Sequence, residues 1–115
     1  MSSQQNIEIK VETLPAGIVL RPMGDIDLSR APAFRLEIAN SLKDNTLTVF
    51  IDLGQVPYMD SSGVATLVEA LQLTNQAGVK LALYGLQERV RSIFEIARLD
   101  KVFKITETFE QAQED

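Results

Sequence analysis

The sequence predicts an α/β domain with the element order β-β-α-β-α-β-α-β-α, folded as a mixed sheet with packed helices. Three observations lead there. Apolar and charged residues alternate strictly near the start, apolar residues recur at helical spacing further on, and short β-rich runs separate the helical stretches. At 115 residues the chain is expected to form one domain over 1–115, with its ordered core at about 7–112.

Ile7, Ile9 and Val11 alternate with Glu8, Lys10 and Glu12, which predicts a half-buried first strand over Ile7–Val11. Leu14-Pro15-Ala16-Gly17 reads as a turn, and Ile18–Met23 as the second strand of a hairpin. Pro22 cannot donate to a ladder, so this strand is expected to weaken or leave the sheet near its end. Ser29 then stands as an N-cap with Pro32 in the first turn. Phe34, Ile38 and Leu42 follow at four-residue intervals, in a helix expected to end near Asp44-Asn45.

Leu47–Leu53 is β-rich and mostly apolar, as a central strand would be. After a loop containing Pro57, a helix begins at Ser61, with Val64, Leu67, Val68 and Leu71 inward, Glu69 and Gln72 outward, and Gly78 just past its end. Lys80–Tyr84 is the next strand. Val90, Ile93, Phe94 and Ala97 mark a third helix, Val102–Ile105 a short last strand, and Thr108 the cap of a terminal helix carrying Phe109 and Ala112. A receiver or flavodoxin-like chain would open β-α-β, so the opening hairpin counts against both.

Composition narrows the chemistry. The chain has no histidine and no cysteine, which removes a Ser-His-Asp triad, a thiolate nucleophile and the commonest zinc ligands. No catalytic residue, metal or cofactor is expected. A formal charge of −5 argues against binding nucleic acid, which needs a basic face. No run of about 18 apolar residues spans a membrane, and Met-Ser-Ser-Gln-Gln-Asn lacks the features of a secretory signal. The absence of cysteine fits a cytoplasmic protein.

The informative stretch is Val56-Pro57-Tyr58-Met59-Asp60-Ser61-Ser62-Gly63-Val64-Ala65-Thr66-Leu67. Two hydroxyls and a carboxylate sit where a helix starts, beside unpaired N–H groups that favour an anion. Gly63 removes a side chain there, which would let a partner approach closely. The same residues also read as an ordinary N-cap before an apolar helix. Asp25, Asp27 and Asp60, with Lys104, invite a metal or phospho-aspartate reading, although three acids at loop ends are commonly caps and turns.

Leu53–Leu67, centred on Tyr58-Met59-Asp60-Ser61-Ser62-Gly63, resembles the signature of the STAS domain of bacterial anti-sigma factor antagonists. Gly24-Asp25-Ile26-Asp27, Gly78–Tyr84 and Val90–Phe103 resemble further segments of that family, so the likeness covers nearly the whole chain. The resemblance implies a STAS-like fold and a partner switch. The unmodified protein would bind an anti-sigma factor that is also a Ser/Thr kinase and so free a sigma factor. The kinase would phosphorylate Ser61, and a PPM-type phosphatase would reverse this. Gly24, Asp25, Asp27, Asp60, Ser61, Ser62 and Gly63 would form the partner-binding surface. The chain departs from many antagonists at Ala65, where they carry a second glycine. A STAS subunit docked on a transporter ATPase or within a multi-STAS stress complex is the rival within the fold, and a small hydrolase or transferase the rival outside it.

Overall fold

A computed structural model describes residues 7–43 and 45–114. The elements follow the predicted order: β1 (Glu8–Leu14), β2 (Gly17–Met23), α1 (Ala31–Ser41), β3 (Thr48–Asp52), α2 (Ser61–Ala77), β4 (Lys80–Tyr84), α3 (Glu88–Ile96), β5 (Lys104–Thr106) and α4 (Phe109–Ala112). The sheet order is β1-β2-β3-β4-β5. β1 and β2 form an antiparallel hairpin, and β2 through β5 run parallel.

This topology decides where the helices go. Crossovers between parallel strands are right-handed as a rule, and three steps in one direction across the sheet place α1, α2 and α3 on the same face. There Leu20, Val49, Ile51, Leu81 and Leu83 meet Phe34, Ile38, Leu67, Ala70, Val90 and Phe94 in the main core. On the other face α4 folds back over one end. Its Phe109 ring lies 4.9 Å from Phe50 and 5.7 Å from Tyr84, centroid to centroid. Thr108 caps α4 as expected, and Gln111 completes a reciprocal capping box.

Several boundaries differ from the sequence expectation. β1 runs on to Leu14, so the turn shrinks to Pro15-Ala16. The departure expected at Pro22 happens on one side only: pairing with β3 stops at Leu20–Ile51, while pairing with β1 continues to Met23–Glu8. α1 ends at Ser41 with Leu42 as C-cap, and Asp44 lies outside the described residues. The last strand starts at Lys104 rather than Val102, which is exposed.

The buried stripe of α2 also differs. Leu67 is fully buried, but Val64, Val68 and Leu71 are only half-buried, and the other buried positions are Gly63, Thr66, Ala70 and Thr74. Small residues let this helix lie close to the sheet. The two threonines are hidden at little cost because their hydroxyls donate to carbonyls of their own helix, Thr66 to Ser62 at 2.9 Å and Thr74 to Leu71 at 3.0 Å. Glu69 is half-buried, and its carboxylate pairs with Arg35 of α1 at 2.9 Å. In α3, Ala97 is exposed where an inward position was expected, because the helix has already ended at Ile96.

Candidate functional site

The site forms where β2 and β3 end. At its base the Arg21 guanidinium holds Asp52 at 2.8 Å, and the second Asp52 oxygen accepts the Gly54 N–H at 2.9 Å. That contact with Asp52 raises the pKa of Arg21 above its ordinary value. Gln87, the N-cap residue of α3, donates to the Gly54 carbonyl at 2.9 Å. The loop leading to Ser61 is therefore anchored at its root from both neighbouring strand ends.

Further out, this loop is laced to the β2–α1 loop. Gly24 donates to Gln55 at 2.8 Å, Ile26 to Tyr58 at 3.1 Å, and Asp60 back to Ile26 at 3.1 Å, making an isolated parallel bridge between Ile26 and Met59. Both bridging side chains are buried. Gly24 takes φ 96°, a left-handed conformation that ordinary side chains avoid, as the chain turns out of β2 into this bridge. The lacing brings Gly24–Leu28 alongside the start of α2.

Asp60 caps α2. Its Oδ1 accepts the N–H groups of Ser62 at 2.8 Å and Gly63 at 3.3 Å, while Oδ2 accepts that of Leu28 at 3.2 Å. Two of the N–H groups expected to be free for an anion are thus already occupied by a carboxylate. Ser61, in the first turn, is exposed, and Ser62 is half-buried.

Gly63 faces inward and is buried. A Cβ there would lie 2.6 Å from Met59 Cγ and 3.0 Å from the Ile26 carbonyl oxygen. The close approach that this glycine permits is internal: it seats α2 on the bridge, whereas the sequence reading assigned the space to a partner. Ser29 likewise does not cap α1. Arg30 occupies the cap position without a side-chain bond, and Asp27 Oδ1 accepts Ser29 N–H at 3.1 Å, Ser29 Oγ–H at 2.7 Å and Arg30 N–H at 3.1 Å. The Ser29 hydroxyl, with help from Arg30, holds the Asp27 carboxyl below its ordinary pKa. Asp25 contributes its carbonyl oxygen, which accepts from Arg30 at 3.1 Å.

Beside Ser61 lies a shallow apolar hollow of about 440 Å³ between α2 and α3, lined by Tyr58, Val64, Ala65, Ile93 and Ala97 among others. Arg89 sits over the Tyr58 ring, 5.1 Å from its centroid. Leu28, on the laced loop, is 74% exposed. Sequence reasoning missed the hollow and Leu28. A leucine between Asp27 and Ser29 is the signal that could have drawn attention, because nothing local explains an apolar residue there. No group of acidic side chains among the described residues is arranged to hold a metal ion, and Lys104 belongs to edge strand β5.

A family model described as the STAS domain matches residues 7–112. The chain belongs to the STAS family. Among STAS relatives, an anti-sigma-B factor antagonist of Listeria monocytogenes is 33% identical over 82 residues, covering 71% of this chain and 72% of the relative. One of Staphylococcus aureus is 27% identical over 102 residues, covering 89% and 94%. Both relatives are named as antagonists of an anti-sigma factor. The STAS fold is shared with an anti-sigma factor antagonist from Mycobacterium paratuberculosis, with a TM-score of 0.83, 24% identity and coverage of 92% and 90%. It is also shared with phosphorylated SpoIIAA of Bacillus, with a TM-score of 0.70, 20% identity and coverage of 91% and 96%. Among the described residues, no helix is long and apolar enough to cross a membrane.

Proposed function

We propose that this STAS domain is a cytoplasmic anti-sigma factor antagonist switched at Ser61. Its unmodified form binds an anti-sigma factor Ser/Thr kinase and releases the sigma factor. Phosphorylation of Ser61 ends that binding, and a PPM-type phosphatase restores it. The observation that carries this reading is the position of Ser61. It is an exposed hydroxyl directly after the α2 cap, on a corner made rigid by the Ile26–Met59 bridge. Ser62 is less accessible and its N–H is committed to Asp60. The names of the relatives support the same function.

The contact surface comprises Gly24, Asp25, Asp27, Asp60, Ser61 and Ser62, with Gly63 acting from beneath by seating the helix. Ala65 is exposed in the neighbouring hollow, so the methyl group that this chain carries in place of the family's glycine faces the partner. A phosphate on Ser61 adds about −1.5 to −2 charges. It meets a helix terminus whose Ser62 and Gly63 N–H groups are already held by the Asp60 carboxylate, so the added charge must go to the interface. Burying it unpaired against a surface shaped for a hydroxyl costs several kcal/mol.

Calorimetric titration of the unmodified protein into the anti-sigma factor kinase encoded in the same genome tests this. The proposal expects one-to-one binding and release of the sigma factor. Absence of binding, together with capture of a transporter ATPase from the same lysate, would replace it with the transporter-subunit reading.

A further inference from the structure

We infer that the outer edge of β1 is a self-pairing interface, through which two copies of this chain join their sheets antiparallel, centred on Val11. β1 is an edge strand: among the described residues no strand lies beyond it in the sheet. It lacks two of the devices that blunt an edge, and its charged side chains, Glu8, Lys10 and Glu12, are of both signs. Its register with β2 runs unbroken from Glu8–Met23 to Leu14–Gly17, so it has no bulge, and no proline falls within it. Seven residues of extended backbone therefore present unpaired donors and acceptors on the outer side.

The hairpin fixes which groups these are. A two-residue turn closed by Leu14 and Gly17 directs the backbone of Leu14, Glu12, Lys10 and Glu8 toward β2, leaving Ile9, Val11 and Thr13 facing outward. A two-fold axis through Val11, the midpoint of the strand, overlaps all seven residues. It sets Val11 against Val11 and Ile9 against Thr13 as hydrogen-bonded pairs, using every outward group. In this register Lys10 of one copy faces Glu12 of the other, twice, at the pairing position where side chains approach most closely. The alternating charge of the strand is thus self-complementary in the one register that also gives full overlap.

Val11 itself is 51% exposed, an unusual place for a β-branched residue in mid-strand. It borders a hollow of about 540 Å³, lined also by Thr13, Ile18, Glu37, Asn40 and Leu47, because α1 packs toward α2 and leaves this end of the hairpin uncovered. Pairing buries the two Val11 side chains against each other and sets the two hollows side by side. The interface lies on the β1 edge of the sheet and uses none of the residues of the Ser61 corner.

Sedimentation of the unaltered chain over a range of concentrations should show reversible conversion from monomer to dimer. The chain has no cysteine, so single replacements report geometry directly. Paired Val11 Cα atoms stand about 5.5 Å apart, within disulfide reach, whereas paired copies of Glu8 stand roughly 20 Å apart. Under mild oxidation Val11→Cys should cross-link and Glu8→Cys should not. Lys10→Glu should raise the dimer dissociation constant by roughly tenfold, and Lys10→Glu combined with Glu12→Lys should restore it. A chain that stays monomeric throughout, equal cross-linking of the two cysteine variants, or a dimer indifferent to Lys10→Glu would overturn the inference.

Discussion

Asp60 Oδ2 accepts the backbone N–H of Leu28 at 3.2 Å, so the carboxylate that caps α2 also holds the neighbouring loop. One side chain thereby fixes both halves of the proposed contact surface. Asp60→Ala should destabilise the domain by about 1–2 kcal/mol, the upper part of the range for loss of a cap. Asn caps as well as Asp does but has a single acceptor oxygen, so Asp60→Asn should keep the cap, lose the bond from Leu28 and cost less, about 0.5–1 kcal/mol. Urea unfolding of the two variants makes the comparison. Equal losses would mean that the bond to Leu28, and not the cap of α2, is what matters.

Gly63→Ala separates an internal role for the glycine from an external one. Alanine in a helix is ordinarily favoured over glycine by about 1 kcal/mol. Here the added methyl would lie 2.6 Å from Met59 Cγ and 3.0 Å from a backbone oxygen of Ile26. Methionine can move, but the bridge backbone cannot readily do so, and overpacking of this kind costs about 1–3 kcal/mol. Net destabilisation of up to about 2 kcal/mol is expected in thermal or urea unfolding. A gain in stability would show that α2 shifts freely over the bridge.

Leu67 is fully buried beneath α2, while Leu28 is largely exposed on the laced loop. Leu67→Ala should cost about 2–5 kcal/mol. Leu28→Ala should stay within about 0.5 kcal/mol of the parent and act on partner binding instead. Reversal of this ranking would mean that the loop leucine is a packing residue.

Asp27 carries a pH signature. Its carboxyl titrates below the ordinary range in the folded protein because the Ser29 hydroxyl and the Arg30 side of the turn favour the charged form. A depressed folded-state pKa stabilises the fold above the ordinary carboxylate range, and that contribution disappears as pH falls through the folded-state value. Asp27→Ala should therefore lower stability at neutral pH and converge on the parent under strong acid. Melting temperatures of the pair across acidic pH check this. A constant difference at all pH values would mean that the carboxylate charge contributes nothing to the turn.

Asp27 also shows where the sequence was legible and where it was not. The alternation of Ile7, Ile9 and Val11 and the spacings of Phe34–Ile38 and Val90–Phe94 identified the hairpin and the helices, because one face of each is apolar. Which side chain takes a loop N–H is a short-range contest between similar groups. Ser29 looked like the cap of α1, yet its hydroxyl donates to Asp27, which gathers the N–H groups instead. In α2 the half-buried Val64, Val68 and Leu71 fitted the periodic pattern better than Thr66 and Thr74 do, because hydroxyls bonded to their own helix do not register as apolar. The smallness of Gly63 was visible, but the direction of its missing side chain depends on Ile26, 37 positions earlier in the chain. The motif placed Ser61 beside Gly24–Asp27 only through family resemblance. The hydrogen bonds that join those loops are long-range and leave no local pattern.

The central claim is that charge at Ser61 decides binding. Incubation with the anti-sigma factor kinase and ATP, followed by peptide mass spectrometry and titration of the purified phosphoform, measures it directly. One phosphate on Ser61 and an affinity reduced by roughly a hundredfold or more are expected, with Ser61→Ala binding normally and resisting modification. A phosphate on Ser62 alone, or tight binding by the Ser61 phosphoform, would contradict it.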